Sequence, residues 1–547
     1  MAGERDVVII GGGHNGLALG RYLAAAGLDV LVLERRGEFG GGLSTEESTL
    51  PGFYHNLHSN FHGILPFFPP WTDFDLPARG VTYFHPEANI GMPLADGRAL
   101  VLYTDELRSY EEIARFSRAD AEAWLVMRGQ MAAHLEEILA IAYSPPLAGE
   151  GIEEFLAGEI RDWFGQDLWD MTALEFVRSR FENPHVQALL LFHLAVGGWD
   201  IRLPHTAGLA VAFLGLITNW QLCRGGSHYL GHVLGALLME AGGDLREHCH
   251  VSHILLENGR AAGVVLADGT TVRARRAVVS TVDPTQTFLS MLDPEDLPGD
   301  FVESVRGIRY GHGDVIFGVH LALAEAPRYP AAAFNPDIDR TFNVNIGYET
   351  PEDILEHYEE IDRGAVPATP RLEVAVNTLF DPSLAPPGKH TGLIWQFAPY
   401  DPEGRGPAAW RELAGEYAQR CIEAWRAYAP NLTPDKVLGV YAYSPHDVAT
   451  KLVNMRRGGF HCAALTDKQA MWMRPTTSLA GYRTPVPGLY LGGASAHPHG
   501  GIVAGPSYNC FQVLSEDLGL KPAWRPKLWD AAGRALRERL ARARAKA

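Results

Sequence analysis

The sequence predicts an α/β fold, and three features near the start of the chain support this prediction. Residues 7–10 are all apolar, which is typical of a parallel strand covered on both faces. Residues 17–26 have the apolar spacing of a helix, and Gly27 follows as a helix-ending residue. Residues 29–33 form a second apolar strand that ends at Glu34. Together these segments make one strand–helix–strand unit of about 30 residues.

A glycine motif joins the first strand to the helix. Gly11, Gly13 and Gly16 follow the spacing G-x-G-x-x-G, and the surrounding strand–helix–strand unit is the context that makes this motif informative. The first glycine allows a tight turn, the second lets a pyrophosphate approach the backbone, and the third lets helix and strand pack closely. The N–H groups at the helix start, beside His14 and Asn15, then face the phosphates. The motif predicts a dinucleotide site.

An acidic residue ends the second strand. Glu34 is placed to accept hydrogen bonds from two ribose hydroxyls, and its charge disfavours a 2′-phosphate even with Arg35 and Arg36 beside it. NADP is therefore a weaker interpretation, and a glycine-rich turn in another kind of α/β protein is the alternative. The first motif alone does not separate FAD from NAD.

A turn signal in the middle of the chain predicts a β-hairpin. Asn258 and Gly259 stand between two apolar runs, at residues 251–256 and 263–266. Asn-Gly between two such runs is a strong signal for a tight hairpin turn.

The composition limits the class of protein. The chain has 547 residues, of which 46% are hydrophobic and 20% charged, and its formal net charge is −18. These values are ordinary for a globular protein and exclude a disordered or collagen-like chain. The acidic balance disfavours a nucleic acid as partner, because phosphate backbones are themselves negative.

The cysteines and the apolar segments bear on the compartment. Five cysteines are scattered with no C-x-x-C spacing, which fits a reducing environment and argues against a structural zinc site. No basic and apolar leader precedes the first strand, so we expect a cytoplasmic protein. Residues 203–223 lack charged side chains and are long enough to span a bilayer, but they include Pro204, Asn219 and Gln221. We therefore predict a buried helix there.

A second glycine-rich loop follows the acidic residue, at Gly40, Gly41 and Gly42, and an NAD-binding domain does not require one. Further stretches accompany it: Gly225–Gly226–Ser227 with Val251 and Gly263, Gly459-x-His461, Arg474–Pro475, Tyr482–Arg483–Thr484–Pro485, and Gly488 through Pro498. On these residues the sequence resembles the phytoene-desaturase-like flavin oxidoreductases of the amine-oxidase type. Within them it looks most similar to the branch of the pyridine nucleotide-disulfide oxidoreductase domain-containing protein 2.

This resemblance implies a discontinuous Rossmann-type FAD-binding domain with an inserted substrate domain of mixed sheet and helices. It implies FAD as the cofactor. The expected cofactor-binding residues are Gly11, Gly13, His14, Asn15, Gly16, Glu34, Arg35, Gly40, Gly41, Gly42, Leu43, Ser44, Val251, Gly493, Gly501, Ile502 and Val503. The predicted FAD-binding parts are 1–75, 216–290 and 451–520, the substrate parts are 76–215 (helical) and 291–450, and 521–547 is a basic helix or tail.

The implied activity is removal of hydride from a C–H bond of a largely apolar, isoprenoid- or aromatic-like substrate to flavin N5, which gives a C=C or C=O bond. A nearby base takes the accompanying proton. The electron acceptor is left open between oxygen, a quinone and another molecule. An amine oxidase, a saturase or isomerase of the same fold, and a non-catalytic FAD-bound interaction protein are the alternatives. A lysine near flavin N5 would favour the amine oxidase, and the sequence does not place one.

Three histidines are the candidate catalytic groups, in the order His58, His499 and His461. His55, His58 and His62 would share one face of a helix, as a metal site requires, but the resemblance makes this segment strand-like. We therefore expect no metal.

Three further expectations concern the substrate region and the end of the chain. Trp199, Phe213 and Trp220 are interpreted as plain core, with an apolar tunnel as the alternative. Residues 500–503 are predicted to begin the last helix of the FAD-binding region and to direct N–H groups at the flavin N1 edge. The arginine-rich segment 525–546 is expected to be solvated or to contact another subunit, with peripheral membrane contact as the alternative.

Overall fold

A computed structural model describes residues 3–63, 67–165, 168–523 and 525–545. Within these ranges the strands are β1 (Glu4–Ile10), β2 (Val30–Leu33), β3 (Thr45–Glu46), β4 (His55–Asn56), β5 (Tyr83–Phe84), β6 (Ala88–Pro93), β7 (Ala99–Tyr103), β8 (Leu222–Cys223), β9 (Asp244–Arg246), β10 (Val251–Glu257), β11 (Arg260–Leu266), β12 (Thr271–Ser280), β13 (Ile316–Leu323), β14 (Asn343–Ile346), β15 (Leu372–Ala375), β16 (His390–Phe397), β17 (Val437–Tyr443) and β18 (Leu489–Leu491).

The α-helices in the same ranges are α1 (His14–Ala25), α2 (Pro69–Asp73), α3 (Glu106–Ala114), α4 (Arg118–Ala133), α5 (Leu135–Ala142), α6 (Ile152–Phe164), α7 (Ala173–Arg180), α8 (Pro184–Val196), α9 (Ala207–Leu214), α10 (His228–Glu240), α11 (Pro284–Leu289), α12 (Gly299–Arg306), α13 (Pro351–Asp362), α14 (Trp410–Tyr428), α15 (Pro445–Lys451), α16 (Gly505–Asp517) and α17 (Asp530–Arg544). The α/β fold predicted from the sequence is confirmed.

The first sheet has a parallel centre in the order β18, β12, β1, β2, β9. β12 is long enough to pair with β18 through its second half and with the β10–β11 hairpin through its first half. Because neighbouring parallel strands point the same way, β1, β2, β12 and β18 all end at one edge of the sheet. Such an edge is where ligands bind in open α/β sheets.

β1 shows why an unbroken apolar run forms this strand. Val7 and Ile9 pack in the core on one side of the sheet, and Val8 and Ile10 pack in the core on the other side. All four residues are buried, as period-two alternation requires for a strand that is covered on both faces.

The hairpin predicted from the Asn-Gly turn signal is confirmed as β10–β11. Asn258 and Gly259 lie between the two antiparallel strands with φ angles of 52° and 74°. Two successive residues with positive φ match the twist of a two-residue hairpin, and Asn and Gly adopt that conformation at the lowest cost.

The second sheet is built from strands that are distant in the sequence, in the order β17, β13, β16, β15, β14, β6, β7. One of its faces is covered by α14, whose Trp425 and Trp410 belong to the same core as Phe317 and Ile394 of the sheet. The segment 76–215, for which the sequence predicts helices, also contributes β6 and β7 to this sheet. The domain boundaries themselves stay a prediction.

Two expectations about helices need correction. The helix predicted from residue 500 begins at Gly505, because Ala504 before it has a φ of 49°, outside the helical region. The final helix α17 is not merely solvated, since Leu536 and Leu540 are buried against the chain's own helices and Arg539 forms an ion pair with Glu159. Lys546 and Ala547, at the end of that predicted tail, lie outside the described residues.

The uncharged segment 203–223 contains α9, a helix of eight residues that buries Ala207, Ala210, Val211 and Leu214. The buried helix predicted there is confirmed. Among the described residues, no helix combines the length and the apolar character needed to cross a membrane.

The packing of α14 leads to a stability prediction. Trp425 is fully buried, and its indole N–H donates to the Tyr329 hydroxyl at 2.9 Å. Trp425→Ala leaves a large cavity and an unpaired hydroxyl, so we expect the free energy of unfolding to fall by about 3–5 kcal/mol. Denaturant unfolding followed by circular dichroism measures it. Leu438→Ala, at a residue on β17 that is 42% exposed, is the control and should change stability by less than about 0.5 kcal/mol.

Candidate active site

A cavity of about 800 Å³ lies at the carboxyl edge of the first sheet. Its wall includes Ile10 at the end of β1, Leu33 at the end of β2 and Thr281 directly after β12. The cavity continues between the second sheet and helices α5, α6 and α9. One continuous space therefore connects the parallel sheet with the helical part of the chain.

The two glycine-rich loops meet at one wall of this cavity. The Gly40 N–H donates to the Gly12 carbonyl at 2.8 Å, and a Cβ atom on Gly41 would lie 3.1 Å from the Gly13 Cα. Gly11, with a φ of 101°, makes the sharp turn after β1. Side chains at these glycines would fill the space between the loops, so their absence leaves exposed main chain at the wall.

Two more glycines allow backbone segments to touch behind the wall. A Cβ on Gly16 would lie 2.0 Å from the Gly11 carbonyl oxygen, and a Cβ on Gly493 would lie 2.1 Å from the Thr281 carbonyl oxygen. Real Cβ atoms do not approach so closely. Gly16 thus brings α1 against the first loop, and Gly493 brings the loop after β18 against the end of β12.

Glu34 lies in the wall as the sequence predicts. Its Oε2 accepts from the Gly12 N–H at 2.9 Å, and its Oε1 accepts from the Arg36 N–H at 2.8 Å. Each carboxylate oxygen has two lone pairs, so both retain capacity to accept a further hydrogen bond. The carboxylate is therefore fixed by the main chain and can still bind two hydroxyl groups.

The predicted cofactor residues divide into two groups. Those that line the cavity are Gly11, Gly13, His14, Asn15, Glu34, Arg35, Gly41, Gly42, Val251, Gly501, Ile502 and Val503. Those that do not line it are Gly16, Gly40, Leu43, Ser44 and Gly493. The second group supports the first, as the backbone contacts of Gly16 and Gly493 show.

The three candidate catalytic histidines, His58, His461 and His499, all line the cavity. Burial is the main cause that lowers their pKa values, to about 3 for His58 and about 4 for His499, and well below the usual range for His461. The charges of Lys451 and Arg36 lower the pKa of His58 further. Each imidazole is therefore neutral near pH 7, and each is a weak base.

His55, His58 and His62 do not share a face. His55 lies in β4 and its Nε2 contacts the Thr49 hydroxyl at 2.7 Å, whereas His62 contacts Ser59 and Tyr83. In the part of the chain that the structure describes, no group of three or more His, Cys, Asp or Glu side chains is arranged to hold a metal ion.

Two buried charged residues behind the histidines were not predicted as site residues. The Arg474 guanidinium is fully buried and donates to main-chain carbonyls of two segments, including His461 at 3.0 Å and Ala494 at 3.1 Å. Asp314 accepts from the His461 N–H at 3.1 Å. Burial lowers the pKa of Arg474 to about 10 and raises that of Asp314 to about 6. Together they fix the segment that carries His461.

The sequence contained a signal for Arg474, because it stands in one of the stretches that carry the family resemblance. That resemblance placed it on the substrate side, whereas the structure shows it bonded to the backbone and not lining the cavity. A guanidinium that binds only carbonyls is not recognisable from spacing, since its partners are main-chain atoms.

Trp199, Phe213 and Trp220 line the cavity, so their interpretation as plain core is wrong and the apolar-tunnel alternative is correct. The helices leave space beside them because Gly197 and Gly208 also line this part of the wall. Volume left between helices depends on their packing, which composition does not reveal.

The profile of the flavin-containing amine oxidoreductases matches residues 16–505 of this chain. The chain belongs to this family. Members of this family are flavin-dependent oxidoreductases, so the chain is an enzyme of that class and FAD is its cofactor.

Three relatives match over nearly their whole length. The chain is 33% identical to a polypeptide of the limonene dehydrogenase of Castellaniella defragrans, over 95% of this chain and 96% of the relative. It is 28% identical to the mouse pyridine nucleotide-disulfide oxidoreductase domain-containing protein 2, over 94% of each chain. It is 25% identical to a lycopene-forming phytoene desaturase of Paracoccus sp., over 94% of this chain and 98% of the relative.

A solved structure of putrescine oxidase bound to putrescine has the same fold. It superposes with a TM-score of 0.59 and 18% identity, and the match covers 94% of this chain and 99% of that one. At this identity the likeness concerns the fold alone.

The residues at the first sheet fit an FAD molecule in this family. Asn15 Oδ1 and His14 Nε2 are buried at the cavity, and neither has a hydrogen-bond partner among the described residues. The glycine loops leave a cradle that side chains would fill, and Glu34 retains acceptors for ribose hydroxyls. Bound FAD supplies the flavin ring that accepts hydride, and the chain supplies binding, orientation and a water-poor environment.

The arrangement of Glu34 predicts how FAD retention changes on substitution. In Glu34→Gln the amide NH₂ would face the N–H of Gly12 or Arg36, so one donor opposes another and the carboxylate charge is lost. Hydrogen bonds to charged groups contribute about 1.5–3 kcal/mol, so we expect at least about tenfold weaker FAD binding. Titration of the apoprotein with FAD, followed by flavin fluorescence, measures the affinity. Glu38→Gln is the matched control, and equal affinities would contradict the role of Glu34.

Proposed function

We propose that this enzyme removes hydride from a C–H bond of a largely apolar substrate and leaves a C=C or C=O bond in the product. The observation that carries this proposal is the composition of the cavity wall beyond the sheet. Helices α5, α6 and α9 and their flanking loops contribute Leu139, Ile141, Leu156, Ile160, Trp163, Phe164, Leu209 and Phe213, among others. Of the described residues that this part of the chain gives to the wall, Glu153 is the single one with a formal charge.

This wall determines what the enzyme binds and what it excludes. Burial of an apolar molecule against such a surface is favourable by about 25 cal/mol for each Å² removed from water. The same surface keeps water away from the hydride that is transferred. The names of two relatives, limonene dehydrogenase and phytoene desaturase, point to hydrocarbon substrates of the isoprenoid class.

The three histidines remain our candidates for groups that contact the reacting part of the substrate. His58 follows the second glycine loop, and a Cβ on Gly42 would lie 4.0 Å from the His58 Cβ. We place the flavin-binding and substrate-binding parts of the chain at the boundaries predicted from the sequence. Oxygen, a quinone or another acceptor then reoxidises the flavin, and the acceptor consumed in steady-state assays identifies it.

An amine oxidase is the second candidate. The solved relative with the same fold is named putrescine oxidase, and Lys451 lines the cavity although the sequence did not place a lysine there. Lys451 forms an ion pair with Glu46, which fixes its ammonium group away from a free role as base. A cationic amine would also bind poorly against the apolar helices.

The anaerobic reduction of the flavin tests the proposed function. A cyclic monoterpene, a longer isoprenoid, an aromatic alcohol and putrescine are each mixed with the oxidised enzyme, and the flavin absorbance is followed. We expect bleaching by at least one of the isoprenoids or the aromatic alcohol. Bleaching by putrescine alone would establish the amine oxidase instead, and bleaching by none would favour the interaction protein.

A substitution tests the role of His58. His58→Ala removes a side chain from the cavity wall without touching Glu34 or the first loop, so FAD content should stay the same. We expect flavin reduction by the active substrate to slow by about 10²-fold, the lower range for one positioned acid–base group. His253→Ala, at an exposed position on β10, is the matched control. An unchanged rate for His58→Ala would return His58 to a structural role.

A further inference from the structure

A row of side chains crosses the face of the second sheet that is turned away from α14. In the strand register, Asn345 of β14 lies opposite Glu373 of β15, and Glu373 lies opposite Trp395 of β16. Gly318 of β13 continues the row, between Trp395 and Tyr443 of β17. Glu373, Trp395 and Tyr443 all line the cavity. The strand pairing therefore places a carboxyl group in the wall opposite the apolar helices.

The row is connected to the segment that carries His58. The Trp395 indole N–H donates to the Tyr443 hydroxyl at 2.7 Å, and the His58 and Tyr443 rings lie 5.3 Å apart between centroids. Gly318 permits this arrangement, because a Cβ there would lie 2.1 Å from the Tyr443 ring. Two side chains, those of Trp395 and Tyr443, thus separate Glu373 from His58 along the wall of the same cavity.

Glu373 has few partners for a buried acid. It is 2% exposed, and its Oε1 accepts from the Asn343 side-chain amide at 2.6 Å. Among the residues that the structure describes, no lysine, arginine or histidine lies within ion-pair distance of its carboxyl group. The nearby Arg371 instead pairs with Asp353 and Glu356. A carboxyl group held by one amide is costly to bury unless it has another use.

The groups around Glu373 leave its protonation state to itself. Burial raises its pKa to about 8, and the hydrogen bond from Asn343 acts in the opposite direction. Tyr443 on the same row and Tyr348 near it both have pKa values raised by burial, so they stay neutral. Asn345 and Trp395 do not titrate. A carboxyl group with a pKa near 8 exchanges protons readily near neutral pH.

We propose that Glu373 is the proton acceptor of the dehydrogenation, a role that rests on the proposed function of this cavity. The hydride leaves one carbon of the substrate with its electron pair and passes to the oxidised flavin. The proton on the neighbouring carbon, or on the hydroxyl when a C=O bond forms, passes to the Glu373 carboxylate. The electron pair of that broken bond becomes the second bond of the product. The substrate therefore loses one hydride and one proton, and the flavin gains the two electrons of the hydride.

This assignment corrects the order of the catalytic candidates. His58, His461 and His499 have pKa values of about 4 or lower, so a proton taken by any of them would be held weakly. The Glu373 carboxylate is a stronger base than each of these imidazoles. The histidines then position the substrate, and Asn343 positions the acid.

Substitution of Glu373 tests the proposal with the substrate that bleaches the flavin most rapidly. The carboxylate is the reactive form, so in the unaltered enzyme the rate of flavin reduction should rise with pH and reach half its plateau near pH 8. Glu373→Gln should slow reduction by about 10²-fold or more and abolish this rise. Glu352→Gln, which makes the same change at an exposed carboxyl group paired with Arg178, should leave rate and pH profile unchanged. A Glu373→Gln enzyme with the original rate or pH profile would overturn the proposal.

Asn343→Leu provides a readout that a merely structural residue would not move. It removes the hydrogen bond that lowers the pKa of Glu373, so the midpoint of the rate profile should shift to higher pH while FAD content is retained. A midpoint that stays in place would contradict the proposal.

Infrared difference spectroscopy separates this proposal from the proposed function, because it needs no substrate. The oxidised enzyme should show the band of a protonated carboxylic acid that disappears as pH rises through about 8, and Glu373→Gln should lack it. Absence of such a band, or one insensitive to pH, would overturn the assignment of Glu373 even if apolar substrates reduce the flavin. Presence of the titrating band supports the assignment, and bleaching by putrescine alone would then refute only the substrate class.

Discussion

Close contact between main-chain segments holds the flavin end of the site together. The first strand, the helix after it, the second glycine loop and the loop after β18 approach one another at distances that leave no room for a Cβ atom. Each approach lies at the edge where the parallel strands end, and so the backbone groups exposed there surround one space. Because the contacts are between backbone atoms, side chains elsewhere can vary without moving this wall. The cofactor site is in this sense a property of the parallel sheet and its glycines.

The substrate end is built on a different principle. Its walls are the open face of an antiparallel sheet and the apolar sides of short helices, and these come from segments far apart in the chain. Apolar surface that faces a cavity rather than core is costly unless a ligand covers it. Polar groups in this region, such as Glu373 and Asn345, are buried with few partners. This combination suits a molecule that is mostly hydrocarbon and reacts at one position.

Between these two ends, buried charges position the histidine segment. Arg474 ties the segment that contains His461 to the loop after β18 through carbonyl oxygens, and Asp314 holds the His461 backbone from the other side. A buried guanidinium with this many carbonyl partners fixes two loops at once, which paired charges at the surface do not achieve. The loop that follows β18 therefore reaches the cavity in a fixed conformation before α16 begins.

The sequence by itself determined the elements whose residues interact with near neighbours in the chain. The unit of β1, α1 and β2, the glycine motif, Glu34 and the Asn258–Gly259 hairpin were all predictable, because each depends on local periodicity or on a positive φ angle. Only the tertiary structure decided that Trp199, Phe213 and Trp220 line a cavity, that α16 begins at Gly505 and that Glu373 faces the same space as His58. These features depend on strand register and on how separate segments pack, and neither is encoded in the spacing of nearby residues.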